Sequence, residues 1–168
     1  DPSGGTFFAA GALLGVIGRQ RFGAGSHIVT SHLAMTLAMQ ASRVSETLGT
    51  DQPIPRLGSA CTASAPNQCF TTQDGKHIAV TVQTQDQWVA FCDALGSPEL
   101  AVDSRFSSNT NRVTHREDLA SIVAEKIKTE PARWWDIQFA NKAVPASTVL
   151  DSDQVINHTH ILENEYLV

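Results

Sequence analysis

The apolar positions of this chain recur on helical and on alternating spacings, and each spacing marks its own elements. From Pro2 to Gly18 the sequence is uncharged and rich in Phe, Ala, Leu, Val and Ile. The run predicts a helix over about residues 2–21, buried in protein. Gly4, Gly11, Gly15 and Gly18 lie on overlapping faces of that helix. Each glycine costs about 1 kcal/mol relative to alanine inside a helix. So many of them predict close backbone approach by another element. Arg19 and Arg21 near the helix C-terminus and Gly23 just beyond it form a stop signal. Gly23-Ala24-Gly25 reads as a turn and His27–Thr30 as a short extended stretch. A second helix is expected from Ser31 to about Leu48, with Leu33, Leu37, Ala41, Val44 and Leu48 on one seam and Gly49 closing it. Residues 49–68 hold Pro53, Pro55, Gly58 and Pro66 among small polar residues, the composition of a linker or long loop.

The second half alternates. Cys69–Thr72 and Lys76–Val82 flank Gln73-Asp74-Gly75, the signature of a hairpin with Ile78, Val80 and Val82 on one face. Thr84 with Gln87 forms a capping box ahead of a stripe of Trp88, Phe91, Cys92 and Leu95, ended by Gly96. Residues 109–112 read as a loop. Thr114 with Glu117 is expected to cap a helix whose inner face is Leu119, Ile122, Val123 and Ile127. Thr129 and Pro131 open a helix carrying Trp134, Trp135 and Phe139. Val144–Leu150 reads as a last strand and Asp151–Asn157 as a last short helix. The expected fold class is α+β: long glycine-faced helices over 1–48, a linker or active-site loop over 49–68, and a small α+β domain over 69–168.

Composition narrows the function classes. Hydrophobic residues make up 42% and charged residues 17%, a balance that predicts surface covered by a partner subunit or by a missing part of the chain. The net charge is −5 and no basic cluster exceeds Arg19-Gln20-Arg21, so nucleic acid is a poor partner. The uncharged run at residues 2–18 is at the short limit for a membrane span and is studded with glycine, so no membrane is expected. The three cysteines, Cys61, Cys69 and Cys92, form no C-x-x-C pair and fit reduced thiols in a cytoplasmic protein. His158-Thr159-His160 has no third ligand at helical spacing, so no metal is assigned. The aromatic residues at helical spacing read as core.

Asp1 is the chief candidate for chemistry. It stands before Pro2 at the start of the glycine-rich helix. One reading makes it a helix N-cap, a common use of aspartate there. The other makes it a carboxylate nucleophile held at the same helix end. Composition and periodicity leave both readings open.

Several stretches resemble one family. D-P-S-G-G-T-F-F-A-A-G-A-L-L at residues 1–14 is similar to a D-x-x-x-G-x-x-x-A-x-x-x-L segment of the family III CoA-transferases, the formyl-CoA and carnitine-type group. R-Q-R-F-G-A-G-S-H-I-V at 19–29 resembles their R-x-x-x-G-x-G-Q-x-V turn, and A-P-N-Q-C-F-T-T-Q-D-G-K-H-I at 65–78 their hairpin. Gln87-Trp88, Leu95–Leu100, Asp103–Phe106 through Asn111-Arg112, Trp134 and Val144-Pro145-Ala146 follow in the family's order, so the resemblance covers most of residues 1–158.

The resemblance implies a CoA-transferase that moves CoA between an acyl-CoA thioester and a carboxylic acid. Asp1 would be the nucleophile, through an aspartyl anhydride and thioester. Gly4 and Gly5 would admit the thioester to the helix backbone. Family members are longer chains whose two copies interlock, so this chain would be the middle section and small domain of a homodimeric enzyme. The substrate would be a coenzyme A thioester, with no bound cofactor. Cys61, Thr62, Ala63 and Ser64 would stand where some members carry a glycine-rich loop over the reacting acyl group, and here that glycine run is missing. Ser26 replaces a usual Gln, and Ala34 a frequent acidic residue. Two alternatives remain: an acyl-CoA racemase of the same superfamily, in which an Asp works with a His, and a non-catalytic dimerisation module.

Overall fold

The computed structural model describes residues 1–50 and 53–167. Asp51 and Gln52, within the expected linker, and Val168 lie outside the described residues. The chain divides into two compact units, Asp1–Arg56 and Leu57–Val168, and the architecture is α+β.

The first unit is helical. Helix α1 runs Pro2–Phe22 and ends as its sequence dictates. Gly23 adopts φ +71°, and its N–H donates to the Arg19 carbonyl at 2.9 Å. The expectation of a buried helix is not met: no side chain of α1 is buried, and Leu13, Leu14 and Phe22 are 64%, 69% and 81% exposed. The expected helix over 31–48 is two helices, α2 (His32–Met39) and α3 (Ala41–Thr50), broken at Gln40, whose N–H reaches the carbonyls of Thr36, Leu37 and Ala38. The Ser31 hydroxyl caps α2 by accepting from the Ala34 N–H at 3.1 Å. Gly49 lies within α3 instead of closing it. The proposed seam does not become a core: Leu33, Leu37 and Leu48 are exposed, and Met35 is the buried side chain of α2. Glycine does bring segments of this unit together. A Cβ on Gly11 would stand 3.0 Å from Ile28 Cγ2, and one on Gly15 would collide with Ile28 Cδ1.

The second unit is built on a three-stranded antiparallel sheet, β1 (Asn67–Thr71), β2 (His77–Thr81) and β3 (Ala146–Thr148), in the order β1-β2-β3. Phe70 pairs with Ile78, and Val80 with Ala146. The last strand is shorter than expected, but the ladder continues on both sides of it. Thr81 N–H donates to Pro145 and Val149 N–H to His77. The Asp-Gly turn forms as read, with Gly75 at φ +75°.

Asp74 does more than turn the hairpin. Its Oδ1 accepts from the Thr72 hydroxyl at 2.6 Å and from the Ala132 N–H at 3.1 Å, which ties the turn to the start of α7 (Ala132–Asn141). The Thr72 hydroxyl bond is the main cause holding the Asp74 carboxyl below its ordinary value; the Ala132 N–H and Lys76 act with it, against partial desolvation. A carboxyl depressed in the folded state stabilises fully above its unfolded pKa, and that contribution disappears as pH falls through the folded one. Asp74→Asn is therefore expected to melt below the wild type at neutral pH, with the gap closing in acid. Thermal unfolding of both proteins across pH checks this.

Helix α4 (Gln85–Ala94) carries the expected capping box, with the Thr84 hydroxyl accepting from the Gln87 N–H at 3.2 Å and the Gln87 side-chain Oε1 accepting from the Thr84 N–H at 3.2 Å. Burial pushes the Cys92 thiol of this helix up to about 12, and Cys61, Cys69 and Cys92 form no disulfide with one another. Residues 109–112, expected as a loop, open helix α5 (Asn109–Thr114), because Ser108 supplies an N-cap that accepts from the Asn111 N–H. The expected Thr114–Glu117 box does not form. The Thr114 hydroxyl turns back to the Thr110 carbonyl, and the chain breaks at His115 before α6 (Arg116–Ile127). Short helices α8 (Ser152–Ile156) and α9 (Thr159–Glu163) follow β3; α8 was expected and α9 was not. In α9 the ring of His158 accepts from the His160 N–H as a cap, which gives that pair of histidines a local structural use.

The core lies between the sheet and α4–α7. Phe91, Phe139 and Trp135 stack in series at 5.5 and 5.4 Å. The Trp135 indole donates to the Ile127 carbonyl at 2.8 Å. Trp88 is fully buried beneath the guanidinium of Arg112, 4.8 Å from its ring.

Candidate active site

Asp1, Gly4 and Gly5 belong to the first unit, Cys61–Ser64 to the second. At the start of α1 the main chain makes the ordinary first helical bond, Gly5 N–H to the Asp1 carbonyl at 3.0 Å. Asp1 occupies the N-cap position, yet its carboxylate accepts no helix N–H. The Gly5 N–H is thereby occupied, which leaves Ser3 and Gly4 as the N–H groups near the helix end that could face an anion.

Asp1 stands at the mouth of a cleft of about 440 Å³, whose walls are the first two turns of α1 and the Thr30–His32 segment. His32 reaches across, its Nδ1 4.0 Å from Asp1 Oδ1. The two glycines play different parts. A Cβ on Gly4 would stand 2.7 Å from His32 Nδ1 and 2.8 Å from its Cε1, so the missing side chain is the space the imidazole occupies. Gly5 has nothing within 4 Å of that position and is the open one. His32 was not singled out from sequence. Its only signal is its place after the Gly23-Ala24-Gly25 turn, and pairing it with Asp1 takes the fold-back of that turn.

The Cys61–Ser64 loop is held almost entirely through its carbonyl groups. Arg116 donates to Cys61 O at 2.8 Å and Thr62 O at 3.0 Å. The Asn109 amide donates to Ala63 O at 2.8 Å and accepts from Ala65 N–H at 3.3 Å. Arg112 donates to Ala65 O at 2.8 Å. The Ser64 hydroxyl accepts from the Asn67 amide, and Cys61 N–H donates to Asn67 O. A loop without glycine is thus fixed by the clamp of Asn109, Arg112 and Arg116, and Ser64 is turned inward and buried. The clamp was missed because residues 109–112 were read as a loop. Asn109 and Arg112 share one side of α5, and Arg116 opens α6.

Arg112 is the deepest of the three, 1% exposed. It also donates to the Phe106 carbonyl at 3.0 Å and to Gln85 Oε1 at 3.1 Å. Burial lowers its pKa from the ordinary arginine value, yet the group stays a cation. Among the described residues there is no group of three or more His, Cys, Asp or Glu fit to hold a metal ion, and no helix is long and apolar enough to cross a membrane.

The chain is similar to an acetyl-CoA:oxalate CoA-transferase of Acetobacter aceti, with 29% identity over 94% of this chain and 40% of that protein. It is 25% identical to a succinyl-CoA–D-citramalate CoA-transferase of Chloroflexus aurantiacus, over 100% of this chain and 42% of the other. The chain therefore spans about two fifths of the length of these curated relatives. The crystal structure of the Mycobacterium tuberculosis protein Rv3272 superposes with a TM-score of 0.82 at 19% identity, over 97% of this chain and 41% of that one, and shows the same fold. The model of CoA-transferase family III matches residues 1–168, and the chain belongs to that family.

Proposed function

We propose that the protein carrying this chain transfers CoA from an acyl-CoA thioester to a small carboxylic acid, with Asp1 as the nucleophile. The observation that carries this reading is the Asp1 carboxylate itself. It stands at a helix N-terminus, beside a cleft, and is bound to none of the helix N–H groups. A carboxylate accepting several N–H bonds is a weaker nucleophile, so a free one is the reactive arrangement.

Attack of a carboxylate oxygen on the thioester carbonyl expels CoA as the thiolate and leaves a mixed aspartyl anhydride. The thiolate attacks the aspartyl carbonyl, releases the donor acid and forms an aspartyl-CoA thioester. The acceptor carboxylate attacks that thioester, CoA thiolate leaves again, and its attack on the acceptor's acyl carbon gives the new acyl-CoA and frees Asp1. One difficult exchange becomes a series of easier ones. The Ser3 and Gly4 N–H groups face the developing oxyanions, and bare Gly5 lets the thioester approach the backbone. Cys61, Thr62, Ala63 and Ser64 are the candidate substrate-binding loop, in place of a glycine-rich flap. The thioester is substrate, not resident cofactor. The working enzyme is a homodimer of interlocked chains, and cysteines without disulfides suit the cytoplasm.

Relatives named for oxalate and D-citramalate support short dicarboxylic acids as acceptors. Succinyl-CoA with oxalate is the first pair to assay. Transfer should proceed without deuterium exchange at the α-carbon of the acyl group. Exchange in deuterated water without transfer would replace this reading with the racemase one.

A further inference from the structure

The geometry points to His32 as the positioning residue for Asp1: it engages Oδ1, so that Oδ2 is the attacking oxygen. The inference rests on the reading of Asp1 as the nucleophile. A freely rotating carboxylate offers two equivalent oxygens in many directions. A nucleophile must hold one of them in line with the thioester carbon. His32 is the polar side chain placed to impose that order. Its Nδ1 is 4.0 Å from Oδ1, about 1 Å beyond a hydrogen bond. Catalytic contacts are often long in an unliganded protein and close when substrate arrives.

Two independent features seat the ring there. Ser31 caps α2 and fixes His32 as its first residue. Gly4 has no side chain, and a Cβ at that position would occupy the space of the imidazole. The glycine so close to Asp1 is thus explained by His32 rather than by the thioester. With Oδ1 engaged by Nδ1–H, Oδ2 forms the new C–O bond while the C–S bond breaks and CoA leaves as thiolate. No proton transfer is required of His32.

The test is rapid-quench measurement of the covalent Asp1 adduct, with succinyl-CoA as donor, in the active protein. His32→Leu is expected to slow adduct formation about 10- to 100-fold, the cost of a misplaced reacting group, with KM for succinyl-CoA unchanged. His32→Asn, whose amide nitrogen replaces Nδ1, should restore most of the rate. Gly4→Ala should fold, because the ring can swing aside, and should slow the reaction like His32→Leu. Combining Gly4→Ala with His32→Leu should add no further loss. Wild-type adduct formation in His32→Leu overturns the proposal, as does equal loss in His32→Leu and His32→Asn, the mark of a merely structural role. Asp1→Asn separates the two levels: an active Asp1→Asn removes the nucleophile reading itself, whereas an inactive one beside a fully active His32→Leu removes only the role of His32.

Discussion

Asp1→Asn is expected to abolish CoA transfer, by roughly 10⁴-fold or more, the scale of loss when a covalent nucleophile is removed. The substitution is close to isosteric, so the protein should fold and bind acyl-CoA as before. What changes is chemical. The amide oxygen carries no charge and its lone pairs are delocalised toward nitrogen, so it does not displace a thiolate. The side chain makes no cap bond in the structure, so little helix stability goes with it. The cap reading predicts the opposite pattern, a lower melting temperature with activity retained. Initial rates with succinyl-CoA and oxalate, set beside a melting curve and the mass of the acyl adduct, separate the two. An Asp1→Asn protein that still transfers CoA sinks the nucleophile assignment.

The largest effect on stability is expected from Arg112→Met. Methionine fills much of the arginine volume, so the loss is in polar contacts, not in space. Three acceptors lose their donor: the carbonyls of Ala65 and Phe106 and the side chain of Gln85. The indole face of Trp88 loses its cation. Stranding a buried acceptor costs about 1–3 kcal/mol, so a loss of about 3–5 kcal/mol is expected, at the upper end for single substitutions. In a chain of this size about 1 kcal/mol moves the melting temperature by about 2–4 °C, and a fall on the order of 10 °C should follow. Calorimetry checks it. A change of only 1 or 2 °C would show that water replaces the guanidinium, and that the Cys61–Ser64 loop does not depend on Arg112.

These two residues also mark what the sequence made legible. The α+β class, the hairpin, the Thr84 capping box and the aromatic stripe were readable because local period and turn chemistry decide them. The core role of Arg112 was not, because a buried arginine looks in sequence like any exposed one. Its partners lie 6, 27 and 47 positions away. The start of α5 differs from the expectation for a local reason: the Ser108 hydroxyl caps the helix there. The proposed role of Asp1 rests on order alone. The residues around it fit a simple cap, and seven further stretches in sequence give it a second meaning. His32 could not be paired with Asp1 from spacing, since the two meet only after α1 and the turn bring the chain back.

Helix α1 sets a condition on all of this chemistry. A 21-residue helix in which nothing is buried gains little from its own surroundings, and isolated helices are marginal in water. The free energy that orders it therefore comes from whatever surface takes its Phe and Leu side chains. Asp1, the proposed nucleophile, stands at its tip and is ordered with it. On the proposed reading of Asp1, covering the apolar side chains of α1 and steadying the carboxylate are then one and the same event.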